Sequence, residues 1–405
     1  MEHETPSDLT KAAGPPFRRK VFYVPGYDPF HPRRYRELYR KEGAAQAAVS
    51  GYSLDLMPRK GGGPYGWRVN AAMPGQSETE FEVLVWSDLV RMSMKQGIPA
   101  TYLQLVRTAW AYIGSGALLR LMRLRKGPTI AALYPVGLLI LQLVLALLAG
   151  WWLFRLGALA HPALGIAAGL VAIPLILQTF RRYDNKVFAY YLMHDYAYTA
   201  QSQGANPPEL EARLAEFGQR IRTALQDCDE VLVVGHSSGA HLAVSILSDL
   251  IRKGLPDHRP ELAFLSLGQV VPMVSFLPKA TRLRADLAYL STRNELTWVD
   301  VTAPGDGCAF ALCDPVAVTG VAPPGKRWPL VISAAFTQTL SPQRWRDLRW
   351  RFFRLHFQYL CAFDRPGDYD YFQITAGPIT LVQRYRDRAP SKSRIETPLS
   401  PWRST

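Results

Sequence analysis

Cysteine is scarce in this 405-residue chain. The four thiols, Cys228, Cys308, Cys313 and Cys361, stand apart, and Cys308 and Cys313 have no second Cys/His pair to complete a zinc pattern. That excludes a disulfide framework and points to free thiols in a reducing compartment. The motif G-x-x-x-x-G-K-[ST] is missing, which removes the usual phosphate-cradling loop of nucleotide enzymes. The first twenty residues are polar and lack the apolar core of a secretory leader, so the soluble portions are expected in the cytoplasm. Acid is absent in one long stretch: between Leu89 and Tyr183 there is no Asp or Glu.

Two long apolar runs lie inside that stretch. Neither 129–154 nor 156–180 carries a Lys, Arg, Asp or Glu. Each is long enough, as a helix, to cross a hydrocarbon core of about 30 Å. Trp151 and Trp152 fit an interfacial belt, and Pro135, Pro162 and Pro174 are tolerable in or near such helices. Arg120, Arg123, Arg125 and Lys126 precede the first run, and Arg181, Arg182 and Lys186 follow the second. By the positive-inside tendency both flanks face the cytoplasm, with the connection near 155–157 outside. The expectation is a transmembrane hairpin; the plainer alternative is a buried helical pair in a soluble core. The net charge of +14 sits partly at these flanks, where it suits anionic headgroups, and no nucleic-acid motif accompanies it.

The most informative stretch is 231–244, VLVVGHSSGAHLAV. A valine-rich run reaches Gly235, Ser237 stands at an apex, Gly239 follows, and helical periodicity begins with Leu242, Ile246, Leu247 and Leu250 on one face. This is strand, sharp turn and helix. A serine there is lifted clear of the sheet in a strained conformation, and the glycines two residues either side let strand and helix close together. An idle serine in a tight turn is the competing reading.

A hydroxyl needs a base and an acid to become a nucleophile. Of the eight histidines, only His241, His258 and His356 follow Ser237. His241 lies one turn along the same helix and His258 precedes the next strand, so His356 is the expected base. The strand LTWVDVT, 296–302, ends at a turn-rich loop holding Asp306, the expected acid; Asp300, Asp314, Asp364 and Asp368 are weaker candidates. The backbone N–H of Ser238 is one expected oxyanion donor, and that of Tyr27, in VFYVPGYDP, the other.

With these residues in hand, the chain resembles the α/β-hydrolase superfamily. GHSSGAHLA at 235–243 is similar to the elbows of its esterase and lipase branch, VPGY at 24–27 resembles the early oxyanion loop, and FEVLVWSDL at 81–89 the next strand. Pro25 departs from the histidine many relatives carry, and the apolar hairpin replaces the usual soluble cap. The resemblance implies a doubly wound, mostly parallel α/β sheet with catalytic Ser237, Asp306 and His356, and no metal or cofactor. The expected organisation is a disordered lead (1–19), the first part of the sheet domain (20–100), a basic helix with the hairpin (101–183), the second part (184–389) and a disordered Ser/Arg/Pro-rich tail (390–405). The expected function is a membrane-anchored hydrolase of a lipidic ester or thioester. An acyltransferase on the same fold and a non-catalytic scaffold remain alternatives.

Overall fold

The computed structural model describes residues 15–59 and 61–405. Eight strands form one sheet: β1 (Phe17–Val24), β2 (Ser53–Pro58), β3 (Gly66–Met73), β4 (Gly75–Val83), β5 (Glu230–His236), β6 (Glu261–Leu267), β7 (Thr297–Thr302) and β8 (Leu330–Ser333). Their spatial order is β2-β3-β4-β1-β5-β6-β7-β8. β4, β1 and β5 through β8 run parallel, and β2 and β3 add an antiparallel edge. The chain is thus an α/β protein with a mixed, mostly parallel sheet.

The central strands are buried on both sides, which is why they read as nearly continuous apolar runs. Val21, Tyr23, Leu232 and Val234 enter one core with Tyr39 and Phe372; Phe22, Val24, Val231 and Val233 enter another with Phe217, Leu242 and Leu287. Helices therefore cover both faces. At the edge the signal is weaker. β3 reads GWRVNAAM, and its small and polar residues hide a strand that alternates Trp67, Val69 and Ala71 inward. β4 begins at Gly75, ahead of the apolar run from Phe81, because its polar first half pairs with β1 and β3 all the same.

A helical insertion joins β4 to β5. The basic helix expected over 101–125 is two helices, Ile98–Gly114 and Ala117–Leu124, broken where Gly116 takes a left-handed φ of 73°. The helix pair follows as Lys126–Ala158 and Pro162–Arg182. The turn falls after Arg155, because His161 caps the second helix by accepting from Ala163 N–H and Pro162 fits its first turn. Glycines bring the two backbones together: a Cβ on Gly165 would sit 2.6 Å from the Phe154 carbonyl, and one on Gly150 would sit 2.7 Å from Ile173. Leu139 and Ala146 are buried, while Leu141, Leu148, Trp152, Leu170 and Leu175 are exposed. Both helices are long and apolar enough, by length and composition, to span a bilayer.

The two ends of the chain, expected to be disordered, are described in part. Residues 17–19 of the lead belong to β1, while 1–14 lie outside the described residues. The tail packs along the sheet domain. Ile395 N–H donates to Leu312 O (2.7 Å), Leu399 N–H to Val318 O (2.9 Å), and the Arg284 guanidinium binds Ser404 O (2.6 Å). Ile395 and Leu399 are apolar anchors that the polar composition around them conceals.

Candidate active site

The site forms beyond the C-terminal ends of β5 and β7. β5 is buried throughout; Ser237 follows with φ 56° and ψ −122°, and the helix Ser238–Arg252 starts at once. Such a backbone costs roughly 1–3 kcal/mol in a non-glycine residue and persists only where its surroundings enforce it. Here Ser237 N–H is tied to Leu267 O (2.9 Å) at the end of the neighbouring β6. The flanking glycines are required by contact. A Cβ on Gly239 would collide with the Val24 carbonyl of β1, and one on Gly235 would lie 2.7 Å from the Gly239 carbonyl.

Asp306 and His356 meet. The loop after β7 turns back through Asp306 N–H to Ala303 O (2.9 Å). Asp306 Oδ2 accepts from His356 Nδ1 (2.7 Å) and from the Tyr359 hydroxyl (3.0 Å), and Oδ1 accepts from Cys308 N–H (2.8 Å). Burial opposes the Asp306 carboxylate, but His356 and these donors outweigh it and hold the carboxyl below its ordinary range. His356 ends a short helix, Phe352–His356, and its Nε2 is buried with no partner among the described residues. Its ring lies 4.8 Å from that of His236, whose Nε2 donates to the His356 carbonyl (3.0 Å). Burial, reinforced by His356, pushes His236 down to about 3, so it serves as a neutral prop.

Ser237, Ser238, Tyr27 and His356 all line one small cavity of about 90 Å³. The loop carrying Tyr27 is pinned there: Trp86 Nε1 donates to Pro25 O (3.0 Å) and the Tyr191 hydroxyl to Tyr27 O (2.5 Å). A Cβ on Gly26 would lie 3.1 Å from Ser237 Cβ, so this loop passes directly over the serine. The geometry thus gathers the expected hydroxyl, imidazole and the Tyr27 and Ser238 segments about one cavity, with the Asp306 carboxylate bonded behind His356.

The weaker candidates have other tasks. Asp300 is buried in β7 and accepts from Ser266 (2.5 Å), Asp314 caps the helix Pro315–Thr319, Asp364 accepts from Ser341 N–H (2.9 Å), and Asp368 pairs with Arg388. His241 does line the cavity, but burial pushes it down to about 4 and its Nδ1 has no partner among the described residues.

Sequence reasoning missed three neighbours. Tyr359 and His236 flank expected catalytic residues, so proximity along the chain was the available signal. Asp195 offered none. It lies on the inserted helix Ala189–Ala200 and lines the cavity with Ser237 and His356. Burial raises its carboxyl to about 7, against the pull of His356. One set of donors could also approach a metal: Asp306, Cys308 and His356 offer atoms within 4.8 Å of one another. Burial, with Asp306 and Asp195 nearby, pushes the Cys308 thiol well up, and a protonated thiol is a poor ligand.

No family model, curated protein or solved structure matches the chain.

Proposed function

We propose that the chain is a membrane-anchored serine hydrolase of the α/β-hydrolase superfamily, cleaving a carboxylic ester or thioester of lipidic character. One observation carries this reading: a strained Ser237 shares a cavity with the unpartnered Nε2 of His356, whose Nδ1 is bonded to the Asp306 carboxylate.

The chemistry follows from these atoms. Ser237 Oγ attacks the carbonyl carbon as His356 Nε2 takes its proton. Asp306 fixes the tautomer and stabilises the imidazolium. Negative charge gathers on the carbonyl oxygen, where the N–H groups of Ser238 and Tyr27 receive it. Collapse expels the alcohol or thiol, protonated by His356, and leaves an acyl-enzyme. Water then attacks with His356 again as base, releasing the acid and restoring Ser237. The triad needs no metal or cofactor.

The lipidic substrate is supported by position. The helical insertion supplies Tyr112, Pro128, Tyr196 and Tyr198 to the cavity wall, and Pro128 belongs to the first turns of the long apolar helix. With that pair in a bilayer, the sheet domain lies on the cytoplasmic side and its entrance beside the lipid.

Fluorophosphonate labelling of membranes bearing wild type, Ser237→Ala and His356→Ala tests the reading. Wild type should label and both variants should not. Absence of label on folded wild type would favour a non-catalytic scaffold, and acyl transfer to an added acceptor in place of release to water would favour a transferase.

A further inference from the structure

A second concavity stands beside the catalytic one. It encloses about 780 Å³ between the helix Ala117–Leu124, the first turn of Lys126–Ala158, the Asp306 loop and the segment around Trp350. Arg123, Arg125, Lys126 and Arg349 line it. Among the described residues their charge is uncompensated from within, because the one acid in the lining, Asp306, is buried and bonded to His356. Arg125 is fixed by donating from Nε to Ala311 O (2.9 Å), whereas Arg123, Lys126 and Arg349 are exposed.

The walls are apolar and open. Leu119 is 67% exposed and Trp350 73%, a poor arrangement against water alone. The preceding helix repeats the pattern. Ile98–Gly114 buries Leu105, Thr108 and Tyr112 and turns Leu103, Val106, Trp110 and Ile113 outward. Its outward stripe has helical spacing, as expected of a helix lying in a membrane interface. The groove opens at the foot of the long apolar helix, at the depth where headgroup phosphates would stand if that helix spans.

We propose that this groove binds an anionic glycerophospholipid drawn from the bilayer. Arg123, Lys126 and Arg349 receive the phosphate, and the acyl chains run past Leu119 and Trp350 along the foot of the helix pair. Several cations around one phosphate favour it through both charge and hydrogen bonds. Apolar walls beside those cations distinguish a lipid from a free phosphate. The inference rests on the bilayer reading of the helix pair and not on the chemistry of Ser237.

The test is native mass spectrometry of the full chain in non-ionic detergent, titrated with phosphatidylglycerol or phosphatidylcholine. Wild type and Ser237→Ala should retain phosphatidylglycerol and not phosphatidylcholine. The triple variant R123Q/K126Q/R349Q should lose about tenfold or more in that retention, at an unchanged melting temperature in lipid-free detergent, while Lys253→Gln should retain it. Equal retention by the triple variant, or no preference between the two lipids, overturns the proposal. So does full displacement by an equal concentration of glycerol phosphate, which would mark a soluble phosphate site. Carbonate extraction separates the two readings: release of the chain from membranes defeats the bilayer reading itself, whereas an integral chain without lipid preference defeats only the groove.

Discussion

The sheet domain and the helical insertion solve burial in opposite ways. In the sheet, Val21, Leu232, Val233 and Val299 are fully buried, sealed by helices on both faces. In the insertion, Leu147, Trp152, Leu170 and Leu175 lie exposed while glycines and alanines occupy the contact between the two long helices. The sheet places large side chains inside, as water demands. The helix pair places small residues inside and large apolar ones outside, the pattern suited to a surrounding that is itself apolar. The labour of the site divides along the same line. Ser237 and Asp306 come from the turns after β5 and β7 and His356 from the short helix Phe352–His356 beyond β8, while Asp195, Tyr112 and Tyr198 of the wall come from the insertion. The proposed chemistry would thus rest on the sheet domain, while the insertion walls the cavity.

The sharpest way to break this comparison is to add one methyl group to each region. Gly239→Ala forces a Cβ onto the Val24 carbonyl, backbone against backbone, with no side chain able to yield. A loss above about 4 kcal/mol is expected, enough to deprive a marginal domain of its fold. Gly137→Ala, in the long apolar helix, meets nothing within 4 Å. It should be neutral or gain up to about 1 kcal/mol from helix propensity. Thermal unfolding of the two full-length variants in the same detergent decides. A Gly137→Ala variant as damaged as Gly239→Ala would mean that the exposed face is covered by a partner and that the contrast is wrong.

Within the sheet domain, the next effect is electrostatic. Asp306→Asn keeps the size of the side chain but removes the charge that holds His356 in its tautomer. The expected loss in Ser237 acylation rate is roughly 10⁴-fold, with folding preserved because the amide oxygen can still accept from Cys308 N–H while its NH2 donates to the Tyr359 hydroxyl and to His356 Nδ1, forcing the imidazole into the wrong tautomer. Stopped-time fluorophosphonate labelling measures it. A change of less than tenfold would show that another carboxylate orients His356, and Asp195 is the one that faces the same cavity.

How much was legible follows from how local each rule is. The elbow is written in five consecutive residues, because strain at Ser237 and contact at Gly235 and Gly239 are local demands. Asp306 and His356 could be placed by strand order, since a parallel sheet puts the loops after its strands at one end. The edge strand β3 was hidden by small and polar residues, and the tail by its composition. Asp195 could not be found from the sequence. It lies 42 residues before Ser237, on a helix whose packing against the other inserted helices no periodicity encodes.

The smallest effect belongs to that residue, and it runs in two directions. Burial holds the Asp195 carboxyl near 7, against an ordinary value near 4. The folded protein therefore binds this proton more tightly than the unfolded chain does. Its contribution to stability is fully present below about pH 4 and is lost as pH rises through 7. Asp195→Asn removes that loss, so at pH 8 the variant should be more stable than wild type by roughly 1–3 kcal/mol, and at pH 4 indistinguishable. Catalysis should move the other way. Acylation places a proton on His356, and an ionised Asp195 in the same cavity attracts the resulting imidazolium. Above pH 7 the wild type should thus label Ser237 faster than the variant by about three- to tenfold, with the difference vanishing by pH 5.5. A structural residue would change stability and rate in the same sense at every pH. Opposite signs above pH 7, with the stability gap opening between about pH 4 and 7 and the rate gap following the ionisation of Asp195 near 7, would show the insertion taking part in the chemistry as well as shaping the cavity; parallel profiles would confine Asp195 to the wall.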